Sequence, residues 1–439
     1  MNIAVQINKA RLAGSKRLNL SCGLEKFPVE IFDLADTLEI LDLSGNHLSS
    51  LPDDLWKLSK LRILFCSNNN FTRLPDILGK CSQLSMVGFK ANKINHVSAA
   101  SLGKSLRWLI LTDNQIGELP NEIGHCSELQ KLMLSGNKLS ALPETLSQCK
   151  KLELLRIAAN QFSSLPPWLF TLPRLAWLAF AGNPFCESVE RIAHEQSPIL
   201  TIPWHQFELH QQLGEGASGV IHQAKLTIET KSNAKVAIKL FKGDMTSDGL
   251  PHNEMAACIS AGTHPNLITI HGKIADHPAG NAALVMSLID PEFRNLAAPP
   301  SLESCTRDIY DDNTVFSINT VLRIAYGIAS ATHQLHNKSI LHGDLYAHNI
   351  LYNAEGDCLL GDFGAASFFP QDDPQLALSL QRIEVRAFGC LLEELLERCE
   401  ARSESINMLE NLKTDCLNIN SAKRPLFPDI VQTLMVFLA

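Results

Sequence analysis

One frame recurs throughout the first half of the chain, and it constrains the fold more than any other feature. It reads Leu-x-x-Leu-x-Leu-x-x-Asn, with an apolar residue allowed at each leucine, and successive copies are 22 or 23 residues apart. The asparagines lie at Asn46, Asn69, Asn92, Asn114, Asn137, Asn160 and Asn183. A fixed period of this length indicates a stacked array, in which each copy buries its apolar face against its neighbours.

The spacing inside each copy predicts its local structure. Leucines at alternate positions point to one side of a short strand, so stacked copies should form a parallel sheet. The asparagine at the end of the frame should cap backbone groups where the chain leaves the strand, which is a structural role. A Leu-Pro step follows in most copies and should open a short helix. A degenerate copy with Leu18 and Leu20 precedes the others.

This frame resembles that of the leucine-rich repeat family, over residues 15–190 and about eight copies. The resemblance implies a solenoid that binds its partners on the concave face, at the variable strand positions. These positions are largely apolar, and we expect them to face solvent and bind a protein ligand. The alternative is that neighbouring residues or the second half of the chain cover some of them. The candidates are Phe65, Met86, Trp108, Ile110, Met133, Leu154 and Trp177.

A glycine-rich segment opens the second half of the chain. Gly214, Gly216 and Gly219 lie in Leu-Gly-Glu-Gly-Ala-Ser-Gly-Val-Ile. Glycines at this spacing let a hairpin backbone approach phosphate groups closely, because any side chain would clash there. Lys239 follows on an alternating strand, in Val-Ala-Ile-Lys, and Glu254 on the next predicted helix is the candidate carboxylate partner.

Two further motifs supply carboxylate and amide oxygens. Asp344 and Asn349 belong to His-Gly-Asp-Leu-Tyr-Ala-His-Asn, and Asp362 opens Asp-Phe-Gly. Any one of these motifs alone is weak, but the whole set in this order resembles the eukaryotic-type protein kinase family. N-terminal repeats with no membrane span look most like bacterial leucine-rich-repeat serine/threonine kinases.

The kinase resemblance implies a site and a fold. Asp344 would orient the acceptor hydroxyl and take its proton, Lys239 would hold the α- and β-phosphates, and Asn349 and Asp362 would hold Mg²⁺. The expected fold is α/β, with the repeat solenoid over 15–190, a connector over 191–204 and a two-lobed kinase domain over 205–439. The expected ATP contacts are Leu213, Gly214, Glu215, Gly216, Ala217, Ser218, Gly219, Val220, Ile221, Lys239 and Met286.

The second half departs from the kinase pattern at four places. Gly343 replaces an arginine that pairs with an activation-loop phosphate in many kinases, and Tyr346 replaces a lysine of serine/threonine kinases. We expect His348 to take over part of that lysine's role. Glu384 stands where an aspartate is usual, only about 20 residues after the Asp-Phe-Gly motif. Because that short segment has only two hydroxyl side chains, Ser367 and Ser379, we expect no requirement for activation-loop phosphorylation.

Three functions fit these motifs. The first is a protein kinase that acts on serine or threonine rather than tyrosine, with the repeats as a docking or sensing module. The second is a pseudokinase scaffold, against which the retention of Lys239, Asp344, Asn349 and Asp362 argues. The third is a small-molecule phosphotransferase of the aminoglycoside or choline kinase type, which the short activation segment favours and the glycine loop and Asp-Phe-Gly oppose.

Composition narrows the partners and the location. A net charge of −8 without a basic cluster argues against nucleic acid. The sequence has neither an apolar run of about 20 residues nor an apolar N-terminal signal segment, so we expect no membrane span and no secretion by that route. Twelve scattered cysteines indicate reduced thiols. We therefore expect a cytoplasmic protein, with specialised export as an effector as the alternative.

Overall fold

The computed structural model describes residues 14–196, 199–216, 218–228, 231–243, 245–246, 248–400 and 404–438. The chain divides into two compact units, Met1–Leu175 and Ala176–Ala439. The division falls before the last repeat strand, whereas the sequence period places the end of the solenoid near residue 190. No helix in the described ranges is both long enough and apolar enough to cross a membrane.

The first unit is a parallel sheet of three-residue strands with one 3-10 helix per repeat on the return path. Adjacent strands pair in register, so that Leu41 lies opposite Leu64, for example. The strands are β1 (Arg17–Asn19), β2 (Ile40–Asp42), β3 (Ile63–Phe65), β4 (Met86–Gly88), β5 (Trp108–Ile110), β6 (Lys131–Met133) and β7 (Leu154–Arg156). The 3-10 helices are Val29–Leu34, Leu55–Lys57, Asp76–Lys80, Ala99–Ser101, Asn121–His125, Glu144–Gln148 and Pro167–Thr171.

The repeated asparagines form a ladder inside this unit, as the spacing predicts. Asn137 donates from Nδ2 to the carbonyl oxygens of Leu111 and Leu134, at 2.9 Å each. Its Oδ1 accepts a hydrogen bond from the backbone N–H of Ile116 at 3.0 Å. The same three-way contact recurs at Asn69, Asn114 and Asn160. Each asparagine therefore links its own turn to the preceding repeat.

The second unit begins with β8 (Trp177–Ala179), a 3-10 helix (Pro184–Cys186) and helix α1 (Glu187–Gln196). A six-stranded sheet and helix α2 (Pro251–Ala261) follow. The strands are β9 (Thr201–Pro203), β10 (Phe207–Glu215), β11 (Gly219–Ile228), β12 (Lys231–Phe241), β13 (Ile270–Ala275) and β14 (Ala283–Ser287), with a 3-10 helix at Trp204–Gln206. Their order across the sheet is β10-β11-β12-β14-β13-β9. Ile238, Val285 and Ala224 form the centre of the core of this sheet.

The remainder is a mainly helical lobe, so the second unit has the two lobes predicted from the sequence. Helix α3 (Ile318–Asn337) starts at Ser317, whose side chain accepts a hydrogen bond from the N–H of Thr320 at 3.1 Å. The other helices are α4 (Pro374–Leu396), α5 (Glu404–Cys416) and α6 (Phe427–Met435), with 3-10 helices at Ala347–Asn349 and Ser421–Lys423. The connections of this lobe also contain five short strands. They are β15 (Arg294–Asn295), β16 (Ile340–Leu341), β17 (Ile350–Tyr352), β18 (Cys358–Leu360) and β19 (Ser367–Phe368).

Candidate active site

The glycine-rich segment is the turn between β10 and β11. The turn is closed by the N–H of Gly216, which donates to the carbonyl of Gly219 at 2.9 Å. A Cβ on Gly219 would lie 2.4 Å from the carbonyl oxygen of Leu240, so this position accepts only glycine. A Cβ on Gly214 or Gly216 would meet nothing within 4 Å, which leaves their backbone open to a ligand.

The other expected contacts of this loop are placed as follows. Ser218 is buried, Val220 and Ile221 are half-buried, and Leu213 and Glu215 are exposed. Ala217 lies outside the described residues. The hairpin therefore combines open backbone at Gly214 and Gly216 with the exposed carboxylate of Glu215, which pairs with Lys242.

Lys239 and Glu254 are brought together, although they are on different elements. Lys239 projects from β12, where it pairs with Ile221 of β11, and its ammonium forms an ion pair with the carboxylate of Glu254 on α2. Burial alone would lower the pKa of Lys239, but the charges of Glu254 and Asp362 outweigh burial and raise it. The lysine is thus held as a cation in a buried position.

Asp344 and Asn349 are in direct contact in the catalytic loop. Asn349 donates from Nδ2 to the carbonyl oxygen of Asp344 at 2.9 Å and to its carboxylate at 2.8 Å. These two hydrogen bonds fix the orientation of the Asn349 amide relative to Asp344. Asp362 is exposed, has a left-handed φ of 48° and accepts at Oδ1 from the N–H of Gly364 at 3.1 Å.

One small cavity collects residues from several of these motifs. Its volume is about 70 Å³. Lys239, Glu254 and Asp362 form its polar wall, and Ile221 and Met286 are among its apolar lining residues. The cavity thus brings together Lys239, Asp362 and Met286, which are candidates for phosphate, metal and adenine contact.

The residues fit a nucleotide with a divalent metal. The open backbone at Gly214 and Gly216 and the buried cation of Lys239 suit phosphate groups. The oxygens of Asn349 and Asp362 are hard ligands of the kind Mg²⁺ prefers. Asn349 and Asp362 would therefore hold the metal, and Lys239 with the glycine loop would hold the phosphates.

Glu384 holds the catalytic loop through a hydrogen bond to the backbone of the loop. Its Oε1 accepts from the backbone N–H of Gly343 at 2.7 Å, and its Oε2 lies 2.8 Å from Nε2 of His336 on α3. Burial alone would raise the pKa of Glu384, but the hydrogen bond and charge of His336 hold it below its ordinary value. The longer side chain thus anchors the loop as a carboxylate at the position where an aspartate is usual.

His348 is oriented by a residue that sequence reasoning missed. Asp308 accepts from the backbone N–H of His348 at 3.0 Å and contacts its ring Nδ1 at 2.7 Å. Burial works against the charge on His348, but Asp308, and then Asp344 and Asp362, raise its pKa. Asp308 belongs to a segment with no recognised motif, 40 residues before His348, so no spacing rule could have found it.

The exposure expected for part of the concave face is wrong. Phe65, Trp108 and Ile110 are partly exposed, but Met86, Met133 and Leu154 are buried. Side chains of neighbouring strands contact one another on this face. A Cβ on Gly88 would lie 2.7 Å from the Phe65 ring, and Trp108 Nε1 lies 3.3 Å from Met133 Sδ. Lys131, which the apolar pattern omitted, places its ammonium 4.6 Å above the Trp108 ring.

Trp177 is the clearest correction. Its side chain is only 1% exposed. The indole N–H donates to the carbonyl of Leu345 at 3.1 Å, and the ring stacks on Tyr346 with centroids 4.1 Å apart and planes 7° apart. It therefore contacts the catalytic loop of its own unit and is not a free anchor for another protein.

Comparison with known families agrees with these features. Residues 207–388 match the family of protein tyrosine and serine/threonine kinases. Residues 36–87 and 104–162 match leucine-rich repeat families. The chain therefore has N-terminal leucine-rich repeats and a C-terminal protein kinase domain, as the motifs predicted.

Individual relatives point in the same direction. Cyclin-dependent kinase 2 of Caenorhabditis elegans is 27% identical over 205 residues, which is 42% of this chain and 52% of that protein. Cyclin-dependent kinase 12 of Drosophila melanogaster is 25% identical over 264 residues, or 52% of this chain and 22% of that protein. Fibroblast growth factor receptor 1 of Pleurodeles waltl is 24% identical over 277 residues, or 52% and 34%. The chain thus spans about half or less of the length of these relatives.

Proposed function

We propose that this protein transfers the γ-phosphoryl group of ATP to serine or threonine hydroxyls of protein substrates. One observation carries the proposal. The contacts of Lys239 with Glu254 and of Asp344 with Asn349 are both made, with Asp362 on the same cavity as Lys239. A scaffold without catalysis has no need of all of these groups together.

Each residue has a separate task in the proposed reaction. The partly exposed carboxylate of Asp344 accepts the proton of the acceptor hydroxyl and orients its oxygen for attack. Lys239, held by Glu254, fixes the α- and β-phosphates, and the glycine hairpin covers them. A bound Mg²⁺ would neutralise charge that develops on the phosphates, and Asn349 and Asp362 would hold it.

The acceptor class is tested with labelled ATP and Mg²⁺. We expect Asp344-dependent labelling of a generic protein such as casein, with phosphoserine and phosphothreonine after hydrolysis. Asp344→Asn is the matched control, because the amide keeps the size of the side chain and loses its basicity. Phosphotyrosine alone would overturn the hydroxyl assignment. Label on a panel of small alcohols and amines, with none on protein, would establish the small-molecule phosphotransferase instead.

We further propose that the partly exposed positions of the repeat sheet dock the protein substrate. Trp108 supports this role, because Trp is a favoured anchor type and the residue is partly exposed, as are Phe65 and Ile110. We also propose that the reaction takes place in the cytoplasm, a reducing compartment that suits the twelve free cysteines.

The docking role is separable from catalysis. Trp108→Ala should raise KM for a full-length protein substrate by about tenfold or more, since a hot-spot anchor contributes about 2 kcal/mol. It should leave kcat on a short peptide unchanged. Trp56→Ala is the control, because Trp56 is 52% exposed on the 3-10 helix Leu55–Lys57. Equal KM values for wild type and Trp108→Ala would contradict docking at this face.

A further inference from the structure

Residues 177–196, here called the bracing segment, contact the catalytic loop through Trp177. The indole of Trp177 donates to the carbonyl of Leu345 and stacks on Tyr346, the two residues that follow Asp344. Tyr346 itself is only 4% exposed. An aromatic pair of this geometry fixes both position and tilt of the loop, since stacked rings tolerate little lateral movement without loss of contact.

The same segment contacts the strand that follows Asp-Phe-Gly. The backbone N–H groups of Phe180 and Ala181 donate to the Oγ of Ser367 on β19, at 2.9 and 3.1 Å. Ser367 is fully buried. The activation segment, which is short in this chain, is therefore fastened at its first strand by hydrogen bonds within the protein.

Gly343 completes this contact. A Cβ at position 343 would lie 2.8 Å from the carbonyl oxygen of Leu178 and 2.6 Å from that of Ala365, and Gly343 has a left-handed φ of 73°. No larger residue fits between these two backbones. The absence of an arginine at this position is thus a condition for the bracing segment to reach the catalytic loop.

A third contact reaches helix α2. The Oε1 of Glu190 accepts from the N–H of Gly182 at 2.8 Å and from Nδ2 of Asn253 at 3.0 Å. Asn253 also contacts His194 Nε2 through its Oδ1 at 3.3 Å. Asn253 immediately precedes Glu254, so the helix that presents the partner of Lys239 is tied to the bracing segment.

We propose that the bracing segment is an internal activator of the kinase domain. It positions the catalytic loop, the activation strand and helix α2 together, and so takes the place of an activation-loop phosphate. Trp177 and Glu190 are its positioning residues, because they act through their contacts with Tyr346 and Asn253. Asp344 remains partly exposed beside it, so the segment supports the loop and leaves the acceptor site open. The inference rests on the proposed phosphoryl transfer.

The first test uses helix α1 of the full-length protein. Glu190→Ala should lower kcat by about 10- to 100-fold, which is the cost typical of a misplacement of about 1 Å. KM for ATP should rise by less than kcat falls, because the glycine hairpin is unaltered and only the support of Lys239 by Glu254 is weakened. Glu190→Gln, which keeps the acceptor oxygen, should restore most of kcat. Glu195→Ala is the control on the same helix, since Glu195 is exposed and pairs with Arg191 at 3.6 Å.

The second test uses the catalytic loop. Trp177→Ala should lose kcat to a similar extent, whereas Trp177→Phe keeps a ring over Tyr346 and should retain about a third of it. Melting curves and nucleotide affinity report whether each variant is folded. If Trp177→Ala does not fold, the Glu190 pair and Trp177→Phe decide the question.

The outcomes separate this inference from the proposed function. If wild type shows no Asp344-dependent transfer, the proposed function fails and the brace has nothing to activate. If wild type transfers phosphate and folded Glu190→Ala and Trp177→Ala keep its kcat, the brace is wrong and the function stands. Higher kcat in either variant would also overturn the proposal, because the segment would then inhibit the kinase domain.

Discussion

The loops of the repeat unit are held by residues close in sequence, whereas the catalytic loop of the kinase unit is held by residues far away in sequence. In the repeats, each asparagine bonds backbone groups of its own turn and of the preceding copy, so support is local and identical from copy to copy. In the kinase unit, the catalytic loop is supported by residues far away in sequence, such as Trp177 and Glu384. A lost contact should therefore reduce stability in the first unit and rate in the second.

The largest expected effect is at Lys239. Lys239→Met should lower phosphoryl transfer by about 10²–10³-fold or more, because removal of one electrostatic group in an active site typically costs that much. Lys242→Met is the matched control, since Lys242 is exposed and pairs with Glu215 on the surface. If Lys239→Met transfers phosphate from labelled ATP at the wild-type rate, Lys239 is not part of the active site, and the expectation that a lost contact in the second unit reduces rate is wrong.

The next effect is on stability in the repeat ladder. Asn137→Ala leaves the buried groups of Leu111, Leu134 and Ile116 without their partner, and should lower the free energy of unfolding by about 2–4 kcal/mol. Asn70→Ala is the control, because the contact of the Asn70 side chain with Lys93 is exposed to solvent. Denaturant titration measures both. A change in kcat at 20 °C without loss of stability would contradict the division between local and distant support.

Ser367 sharpens the comparison within the kinase unit. From sequence, Ser367→Ala with Ser379→Ala is expected to keep its activity, because neither hydroxyl should need a phosphate. The structure changes this expectation for Ser367, whose Oγ accepts from Phe180 and Ala181. Ser367→Ala alone should lose about tenfold in kcat, roughly 1.4 kcal/mol of barrier. Ser379→Ala should have the wild-type kcat. If Ser367→Ala also has the wild-type kcat, the hydrogen bonds that Ser367 accepts are not needed for catalysis.

The smallest expected effect is a pH dependence of stability near Asp308. Burial, and then the charge of Asp308, raise the pKa of Glu394 to about 8, against the opposing charge of Arg307 and the hydrogen bond from Tyr310. The folded state therefore binds a proton that the unfolded state releases, and stability falls as pH rises from about 4.5 to about 8.

Glu394→Gln removes this titration while keeping the shape of the side chain. Relative to wild type, its free energy of unfolding should increase by about 1 kcal/mol between pH 7 and pH 9, because about one pKa unit of the shift lies above pH 7. Thermal melts at both pH values measure the difference. Parallel melting curves across that range would show that Glu394 titrates normally. Glu393→Gln, which alters the neighbouring partner of Arg307, is the control.

The two units also differ in how much the sequence alone could predict. The repeat strands and the asparagine ladder followed from spacing, because every copy has the same neighbours. The pair Lys239 and Glu254 followed from motif order. The contacts of Trp177, Ser367 and Asp308 did not, because each joins residues 40 to 187 positions apart that no periodicity relates.

The environment of the outward strand positions is the feature of the repeat unit that its sequence predicts least. The frame gives the strand position of each of these residues, but alternation contains no information on what covers them. Trp108 and Trp177 occupy the same frame position, yet one is partly exposed and the other stacks on Tyr346. Equivalent positions in a repeat thus share a direction and need not share an environment.

The central claim is that Asp344 performs phosphoryl transfer in an intact nucleotide site, and one paired measurement tests it most directly. Single-turnover transfer from labelled ATP with Mg²⁺ and nucleotide affinity should be measured on the same samples of wild type and Asp344→Asn. We predict that Asp344→Asn binds the nucleotide with wild-type affinity and loses transfer by about 10²-fold or more. Equal transfer by both proteins, or nucleotide binding without transfer in wild type, would contradict the account.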